Sequence, residues 1–430
     1  MSRRVALLSV LPIFAFAFPA HASGLYLQEQ SAKDLGRGFS GGAASADDAS
    51  TIFFNPAGMT ELGQVNTSIN AQELFVDTKQ SNNGSTRTVP VAGNPSVATG
   101  GNSGGNPFKQ PVTIPAGYAS FRINQSPIWI GLGVSTPYGV QVKYNDGFFG
   151  RYDSTNSDVR VININPSIAW KVNDNVSVGA GLDIQQMDVT LESALPNLSP
   201  LQADGALKVK GDDLAFGWNV GILATEGKFR FGASYRSRVK HSLTGYYQVT
   251  GLAGPLAAGN VRLSASAPIT LPDSATISAM YGVGQRFRLM ATAKWFNWSV
   301  FQQIAIYPNG ASAAISTQNY KDAWSGALGA EYDVSPRLTL RAGTLYDTTP
   351  TVDQYRSTRV PDGNRTWATA GVGYKVNKNV DVNLSYAHVF IKTEPLNRTD
   401  TLYGGLISTT TSSTNTGNAD EVAASLTFKL

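Results

Sequence analysis

Apolar and polar residues alternate along most of this chain with a period of two. Val176, Val178, Ala180, Leu182 and Ile184 are apolar, while Ser177, Gly179, Gly181, Asp183 and Gln185 between them are small or polar. Phe229, Phe231, Ala233 and Tyr235 alternate in the same way with Arg230, Gly232, Ser234 and Arg236, and Val380, Val382, Leu384 and Tyr386 with Asp381, Asn383, Ser385 and Ala387. The last residues repeat the theme, with Val422, Ala424, Leu426, Phe428 and Leu430 on one side and Ser425, Thr427 and Lys429 on the other. Successive side chains of a strand point to opposite faces, so each stretch predicts a strand with one greasy and one wet face. The pattern starts near Val65 and continues to the C-terminus.

Connector lengths predict how the strands assemble. Short turns fall at Asn124–Pro127, Asn173–Asn175, Thr225–Gly227, Gly284–Arg286, Ser335–Arg337 and Asn377–Asn379. Longer loops lie near 77–111, 137–158, 191–209, 242–272, 302–320, 351–365 and 394–419, and the two kinds alternate strictly, which predicts 14 strands. An even strand count with short turns at one end and long loops at the other is the pattern of outer-membrane barrels. Such a sheet must close, because lipid cannot satisfy an open edge. The expected fold class is all-β: a 14-stranded antiparallel transmembrane β-barrel over residues 65–430, with its third strand at Ile128–Thr136. Trp129, Trp170, Trp295, Trp298, Tyr332 and Tyr374 fall toward strand ends, as interfacial girdles would.

Two segments stand outside this pattern. Residues 23–64 are rich in Gly, Ala, Ser and Asp and carry no sustained alternation. A barrel of this width is not filled by its wall side chains and is often plugged, so the segment is expected to be an N-terminal hatch inside the lumen. Residues 1–22 read as a signal peptide: Arg3 and Arg4, then the apolar run Val5 to Phe18, then Ala20-His21-Ala22. That run is shorter than the roughly 20 residues a spanning helix needs. Secretion to the bacterial outer membrane, as a multi-pass barrel, is the expected localisation.

Composition narrows the function. Only 15% of residues are charged, against about a quarter in soluble domains, while 10% are aromatic and 43 are glycine. The formal charge of +4 falls to +2 once Arg3 and Arg4 are removed, and the remaining basic residues are scattered. Nucleic-acid binding, which needs a concentrated basic face, is not expected. The chain has no cysteine and 3 histidines, so disulfides and Cys-based metal sites are excluded, and neither a metal nor a cofactor is expected. Nothing argues for subunit contacts, so a monomer is expected.

Certain segments also resemble a known family. Ser23-Gly-Leu, Leu35-Gly-Arg-Gly-Phe-Ser-Gly-Gly, Ala46-Asp-Asp-Ala and Asn55-Pro56-Ala57 are similar to the hatch of the FadL family of outer-membrane long-chain fatty-acid transport proteins. Further matches run along the barrel: Phe216-Gly-Trp-Asn, Tyr235-Arg-Ser, Trp298-Ser-Val-Phe-Gln-Gln, Lys321-Asp-Ala-Trp, Leu340-Arg-Ala-Gly, Val360-Pro-Asp and Val382-Asn-Leu-Ser-Tyr. The resemblance implies passive, hatch-gated uptake of long-chain fatty acids or similar hydrophobic molecules. The ligand would enter among outer loops, reach a deeper pocket closed by the hatch N-terminus, and leave through a lateral gap where the third strand is kinked. Asn55, Pro56 and Ala57 would be the gating motif. Monoaromatic hydrocarbon uptake, found among relatives, is the alternative cargo. Outer-membrane lipid and lipopolysaccharide would surround the barrel.

Individual residues can be nominated on chemistry. Gly131 and Gly133 are candidates for the strand kink, since glycine in a strand often marks a distortion; equally, they are small residues in a crowded lumen. Ligand pockets are mostly apolar with a few orienting polar groups. Leu25, Leu27, Tyr138, Phe148, Phe149, Tyr246 and Tyr247 are the candidate apolar contacts. Arg236, Lys240, Lys294, Lys321 and Arg341 are the candidate partners of a ligand carboxylate, each weighed against an ordinary structural ion pair. A remoter reading is a barrel-embedded lipid hydrolase, because Gly38-Phe39-Ser40-Gly41-Gly42 fits G-x-S-x-G by letter. That motif needs a strand–turn–helix elbow and a base, and its setting offers neither, so no catalytic residue is expected.

Overall fold

The structure is a computed structural model that describes residues 24–89, 96–108, 110–310 and 314–430. The expected signal peptide lies outside the described residues. From Val65 onward the chain forms a closed antiparallel barrel. Its strands are β1 (Val65–Asn82), β2 (Val112–Arg122), β3 (Ile128–Lys143), β4 (Asn156–Lys171), β5 (Val176–Leu195) and β6 (Gly205–Glu226). They continue as β7 (Phe229–Arg236 and Val239–Thr250), β8 (Arg262–Leu271 and Ser274–Val283), β9 (Phe287–Phe296) and β10 (Ala323–Asp333). β11 (Leu338–Asp347), β12 (Arg365–Lys375), β13 (Val380–Leu402) and β14 (Ile407–Lys429) complete the ring. Closure is made by β14 against β1, in a ladder running from Asn66↔Lys429 to Asn82↔Ser413.

The alternation has the inverted sense that a membrane demands. Leu132, Ile168, Leu182, Phe216, Leu328 and Leu384 project outward, whereas Ser68, Asn70, Gln72, Asn163, Asp183 and Gln185 are buried on the lumen side. All six short turns fall where they were expected. Five of the seven outer loops are shorter than expected, because the strands run on beyond the apolar belt, whereas the connectors at 297–322 and 348–364 are longer than expected. β13 and β14 have 23 residues each and meet at a tight turn at Tyr403–Gly405. In the run Ile407–Asp420 both faces are polar, so the periodic signal that marks a membrane strand vanishes although the ladder continues.

The girdle expectation needs correction at two positions. Trp170, Tyr332 and Tyr374 are outward at the short-turn end, but Trp129 and Trp298 are buried. Ile130 and Leu132 face outward, so parity places Trp129 inside, where its Nε1 donates to the Leu62 carbonyl at 3.2 Å.

Residues 24–64 lie inside the barrel, with two short helices, α1 (Ala32–Leu35) and α2 (Thr51–Phe54), and a 3-10 turn at Pro56–Glu61. Ser31 caps α1 by accepting from the Asp34 N–H at 3.2 Å. The hatch packs backbone-to-backbone against wall glycines. A Cβ at Gly343 would lie 2.2 Å from the Arg37 carbonyl, and one at Gly232 would lie 1.8 Å from that of Ala43. No other residue leaves that room.

Candidate functional site

The hatch is fixed by charge at one side and by an amide at the other. Arg37, 1% exposed, donates to Asp34 at 2.5 Å, Asp47 at 2.7 Å and Glu331 of β10 at 3.0 Å. Glu331 also accepts from Arg288 of β9 and Arg341 of β11, and Lys33 pairs with Asp48 at 3.0 Å. Burial alone would raise the Asp47 carboxyl, but the Arg37 and Lys33 charges outweigh it and hold it below the usual range. Such pairing is what a buried charge requires. Opposite, Asn55 accepts from the Ala57 N–H at 3.1 Å, capping the 3-10 turn, and its Nδ2 donates to the carbonyls of Ala43 (2.7 Å) and Ile222 of β6 (2.9 Å). The Asn-Pro-Ala motif therefore ties two parts of the hatch to the wall.

The wall is interrupted at β3. Ser135 pairs with Asn163 and Tyr138 with Val161, so Thr136 and Pro137 together oppose one residue of β4. On the other side the β2–β3 ladder stops at Gly117↔Val134, leaving Val112–Ala116 of β2 without a β3 partner. The N-terminal segment takes over that edge of β3. Leu27 donates its N–H to the Pro137 carbonyl at 2.8 Å, and Gly139 donates to that of Leu25 at 2.8 Å. Gln30 completes the junction with bonds to both the carbonyl and the N–H of Thr136. A bulge bends its strand and re-aims the residues beyond it, and here it turns β3 toward the hatch. The expected kink at Gly131 and Gly133 is thus displaced. Both glycines sit in regular ladders, and their missing side chains admit Ile52 and Met59 at Gly131, and Ile52 and Tyr118 at Gly133.

Beside this junction is a small cavity of about 40 Å³. Tyr26, Phe39, Phe53, Phe54, Pro56 and Leu345 share its lining with Gln28, Asn219, Arg236 and Lys294. Arg236 is already engaged: it pairs with buried Asp183, which also accepts from Asn163 and Asn219, and it donates to the Phe53 carbonyl at 3.0 Å. Lys294 is placed differently. Its Nζ donates to the Tyr26 hydroxyl at 2.5 Å and lies 4.2 Å from the Tyr26 ring centroid and 5.0 Å from that of Phe296. Burial pushes the Tyr26 phenol well up, so this partner stays neutral.

Of the five candidate cations, then, Arg236 and Lys294 line one cavity. Arg341 is locked to Glu331 at 2.8 Å and Asn383 at 3.0 Å, while Lys240 and Lys321 are exposed away from it. Among the apolar candidates, Leu25, Leu27 and Tyr138 are buried around the junction. The cavity itself receives Tyr26 and Gln28, because an extended segment alternates its side chains and the leucines point the other way. Phe148 and Phe149 are not an exposed outer patch: both are buried, and Phe148 stacks on Tyr144 at 3.9 Å. Tyr246 and Tyr247 lie within β7, half-buried, with Arg262 4.1 Å above the Tyr246 ring. Sequence reasoning missed Tyr26 and Phe53. Tyr26 was legible in principle, as the residue alternating with the two leucines.

Ser40 has no catalytic surroundings. Its hydroxyl donates to the Arg37 carbonyl at 2.7 Å, and the two histidines among the described residues are engaged elsewhere, His241 with Asp213 and His388 with Asp420.

Comparison with known proteins agrees with this geometry. The chain is 28% identical to a long-chain fatty acid transport protein of Escherichia coli O6:H1, over 86% of this chain and 87% of that one. It is 29% identical to a 47 kDa outer membrane protein of Pasteurella multocida, over 86% and 88% respectively. The crystal structure of a Pseudomonas aeruginosa FadL homologue superposes with a TM-score of 0.85 at 25% identity, covering 94% of this chain and 99% of that one. The Ralstonia pickettii toluene transporter TbuX shares the fold with a TM-score of 0.63 at 18% identity, over 93% and 100%. Residues 13–429 match the model of the outer membrane protein transport protein family (OMPP1/FadL/TodX). The chain belongs to that family and is an outer-membrane β-barrel channel for hydrophobic substrates.

Proposed function

We propose that this channel takes up long-chain fatty acids, or amphipathic acids of similar chemistry, by passive diffusion gated by the N-terminal segment of the hatch. The observation that carries this reading is Lys294, an ammonium set in the cavity wall against two aromatic faces with its hydrogen bond taken by a neutral phenol. A carboxylate entering the cavity gains a charge-assisted hydrogen bond there, and the aromatic lining receives the start of its chain. Arg236, held by Asp183, contributes positive potential without being free to move. Release then follows displacement of residues 24–30 from β3, which exposes the seam between β2 and the outer half of β3. No bond is made or broken along this path, and Ser40 has no part in it. The barrel acts as a monomer within outer-membrane lipid and lipopolysaccharide.

The test is binding of radiolabelled oleate and of toluene to the refolded barrel, alongside Lys294→Met and Lys294→Arg. A charged hydrogen bond contributes about 1.5–3 kcal/mol, so Lys294→Met is expected to weaken oleate binding roughly 10- to 100-fold and leave toluene unchanged. Lys294→Arg retains most of the affinity. Toluene binding without oleate binding moves the cargo to monoaromatic hydrocarbons, a reading favoured by the five phenyl or phenol rings in the cavity lining, those of Tyr26, Phe39, Phe53, Phe54 and Tyr235.

A further inference from the structure

The connector from β11 to β12, residues 348–364, is joined to the region of β3 at two levels. The inner level holds the first described residue of the hatch. Gly24 donates its N–H to Asp362 Oδ2 at 3.1 Å, and that carboxylate, 1% exposed, also accepts from the Thr349 hydroxyl at 2.6 Å and pairs with Arg365. One residue on, the Leu25 carbonyl accepts from the Gly139 N–H of β3 at 2.8 Å. Gly24 and Leu25 therefore bridge Asp362 to β3. The fit around this bridge is close. Gly24 has a φ of +68°, and a Cβ there would lie 3.0 Å from Pro350 and 3.2 Å from Trp298.

The outer level lies beyond Gly139, where β3 ends. The Tyr144 hydroxyl donates to the Thr358 carbonyl at 2.9 Å. Asp153, buried in the same outer loop, accepts from the Thr358 N–H at 2.5 Å, from its hydroxyl at 2.6 Å and from the Ser357 hydroxyl at 2.8 Å. Between Thr358 and Asp362 the connector has no slack. The Val360 N–H bonds to the Ser357 carbonyl at 3.3 Å, the Asp362 N–H bonds to the Val360 carbonyl at 2.8 Å, and Pro361 fixes its own φ. The connector is also pinned to the opposite wall: Arg356 donates to the Pro395 carbonyl of β13 at 2.6 Å, and Asn415 of β14 donates to that of Pro361 at 3.1 Å. Both bridges thus span one gap. On one side is a connector fixed to β13 and β14, and on the other is the outer half of β3, whose free edge β2 does not hold.

We propose that the contact of Tyr144 and Asp153 with Thr358 is an outer gate coupled to the hatch, so that cargo parting it from outside unseats the N-terminal segment inside. An acyl chain descending between β3 and the connector meets the rings of Tyr144 and Phe148, stacked at 3.9 Å, which offer it apolar surface. Its entry separates Thr358 from its partners and widens the gap. Gly24 and Leu25 are then stretched between Asp362 and Gly139 and must release one of them. A widening of about 1 Å suffices, because an N–H···O bond is lost once its atoms stand much beyond 3.2 Å. Tyr144, Asp153 and Asp362 are positioning residues in this scheme, acting through Gly24 and Leu25. The coupling rests on the reading of residues 24–30 as the gate and adds what opens it.

Amide deuterium exchange, which follows opening over minutes to hours, reads the inner bridge in the purified barrel without ligand. The double variant Tyr144→Phe/Asp153→Asn cuts the outer bridge: the first change removes only a hydroxyl, and the second sets amide hydrogens where Asp153 accepts from the Thr358 N–H. Exchange over residues 25–30 is expected to quicken by about fivefold or more, the change that loss of one net hydrogen bond produces. Asp362→Ala, which cuts the inner bridge, is expected to quicken the same residues and, because coupling is reciprocal, residues 144–155 as well. Tyr403→Phe removes a different outer hydrogen bond, to the Pro196 carbonyl at 3.1 Å, and should leave residues 25–30 at the parent rate. Heat-modifiable migration on gels checks that each barrel is folded. If the double variant does not fold, Tyr144→Phe alone carries the test with the same expected direction. Parent-like exchange over residues 25–30 in the folded outer-bridge variant, or equal acceleration in Tyr403→Phe, overturns the coupling. Because no ligand is present, that result leaves the fatty-acid reading untouched. Faster exchange with oleate uptake by cells unchanged overturns instead the reading of residues 24–30 as the gate.

Discussion

Asn55 and Gly221 occupy one space: a Cβ added at Gly221 of β6 would lie 2.0 Å from the Asn55 side-chain oxygen. The glycine is what lets Asn55 reach the neighbouring Ile222 carbonyl and join hatch to wall. Gly221→Val should therefore dislodge the Asn-Pro-Ala turn without altering the cavity's own residues. The expected outcome is a folded, heat-modifiable barrel whose hatch amides near residues 43–60 exchange faster with deuterium.

Asn55→Ala removes the same tie from the other side. It deletes two donated hydrogen bonds and one cap, each contributing about 1 kcal/mol net, so the seated hatch should lose about 2–3 kcal/mol. Fatty-acid uptake by cells is expected to fall while barrel abundance in the outer membrane stays unchanged. Uptake equal to that of the parent chain would show that the motif holds the hatch without gating it.

Arg37→Ala should be more severe. It leaves Asp34 and Glu331 buried without their shared guanidinium, and breaking a buried pair from one side costs about 3–5 kcal/mol. Hydrogen exchange should show residues 33–48 protected in the parent and open in the variant. Arg37→Lys should not rescue, since one ammonium cannot replace the fork that reaches Asp34, Asp47 and Glu331 together.

Removing Thr136 and Pro137 and inserting one residue in their place restores the register of β3 against β4. The straightened strand then pairs with β2 and gives up its bonds to Leu25 and Leu27. Oleate should still bind the purified barrel through Lys294, yet uptake by cells should fall by tenfold or more. Undiminished uptake would mean that cargo leaves by another route.

Lys240→Ala and Lys321→Ala serve as controls. Both side chains are exposed and away from the cavity, so oleate affinity should stay within about twofold of the parent. A larger loss at either position would relocate the carboxylate site to the outer loops.

How much of this was legible depends on whether the signal was local. The short turn at Asn173–Asn175 could be read directly, as could the outward face of β5 with Leu182 and the inward face with Asp183 and Gln185. Trp129 was misread for want of parity, although Ile130 and Leu132 beside it settle the question. The strand in Ile407–Asp420 could not be read, because its buried face is as polar as its outward one: Thr409, Thr411, Ser413 and Asn415 are buried, so burial alternates while residue type does not.

The sequence by itself determined the wall: a strand in contact with lipid on one side and a lumen on the other must alternate, and its turns must be short where the chain reverses at the inner face. What each lumen-facing side chain meets was decided only by closure of the barrel around the hatch. Arg236 finds Asp183 on the next strand but one, and Lys294 finds Tyr26 at the far end of the chain. Periodicity specifies the face on which a residue stands. Pairing inside a closed lumen is set by register, shear and the path of the plug, which bring together residues that share no local pattern.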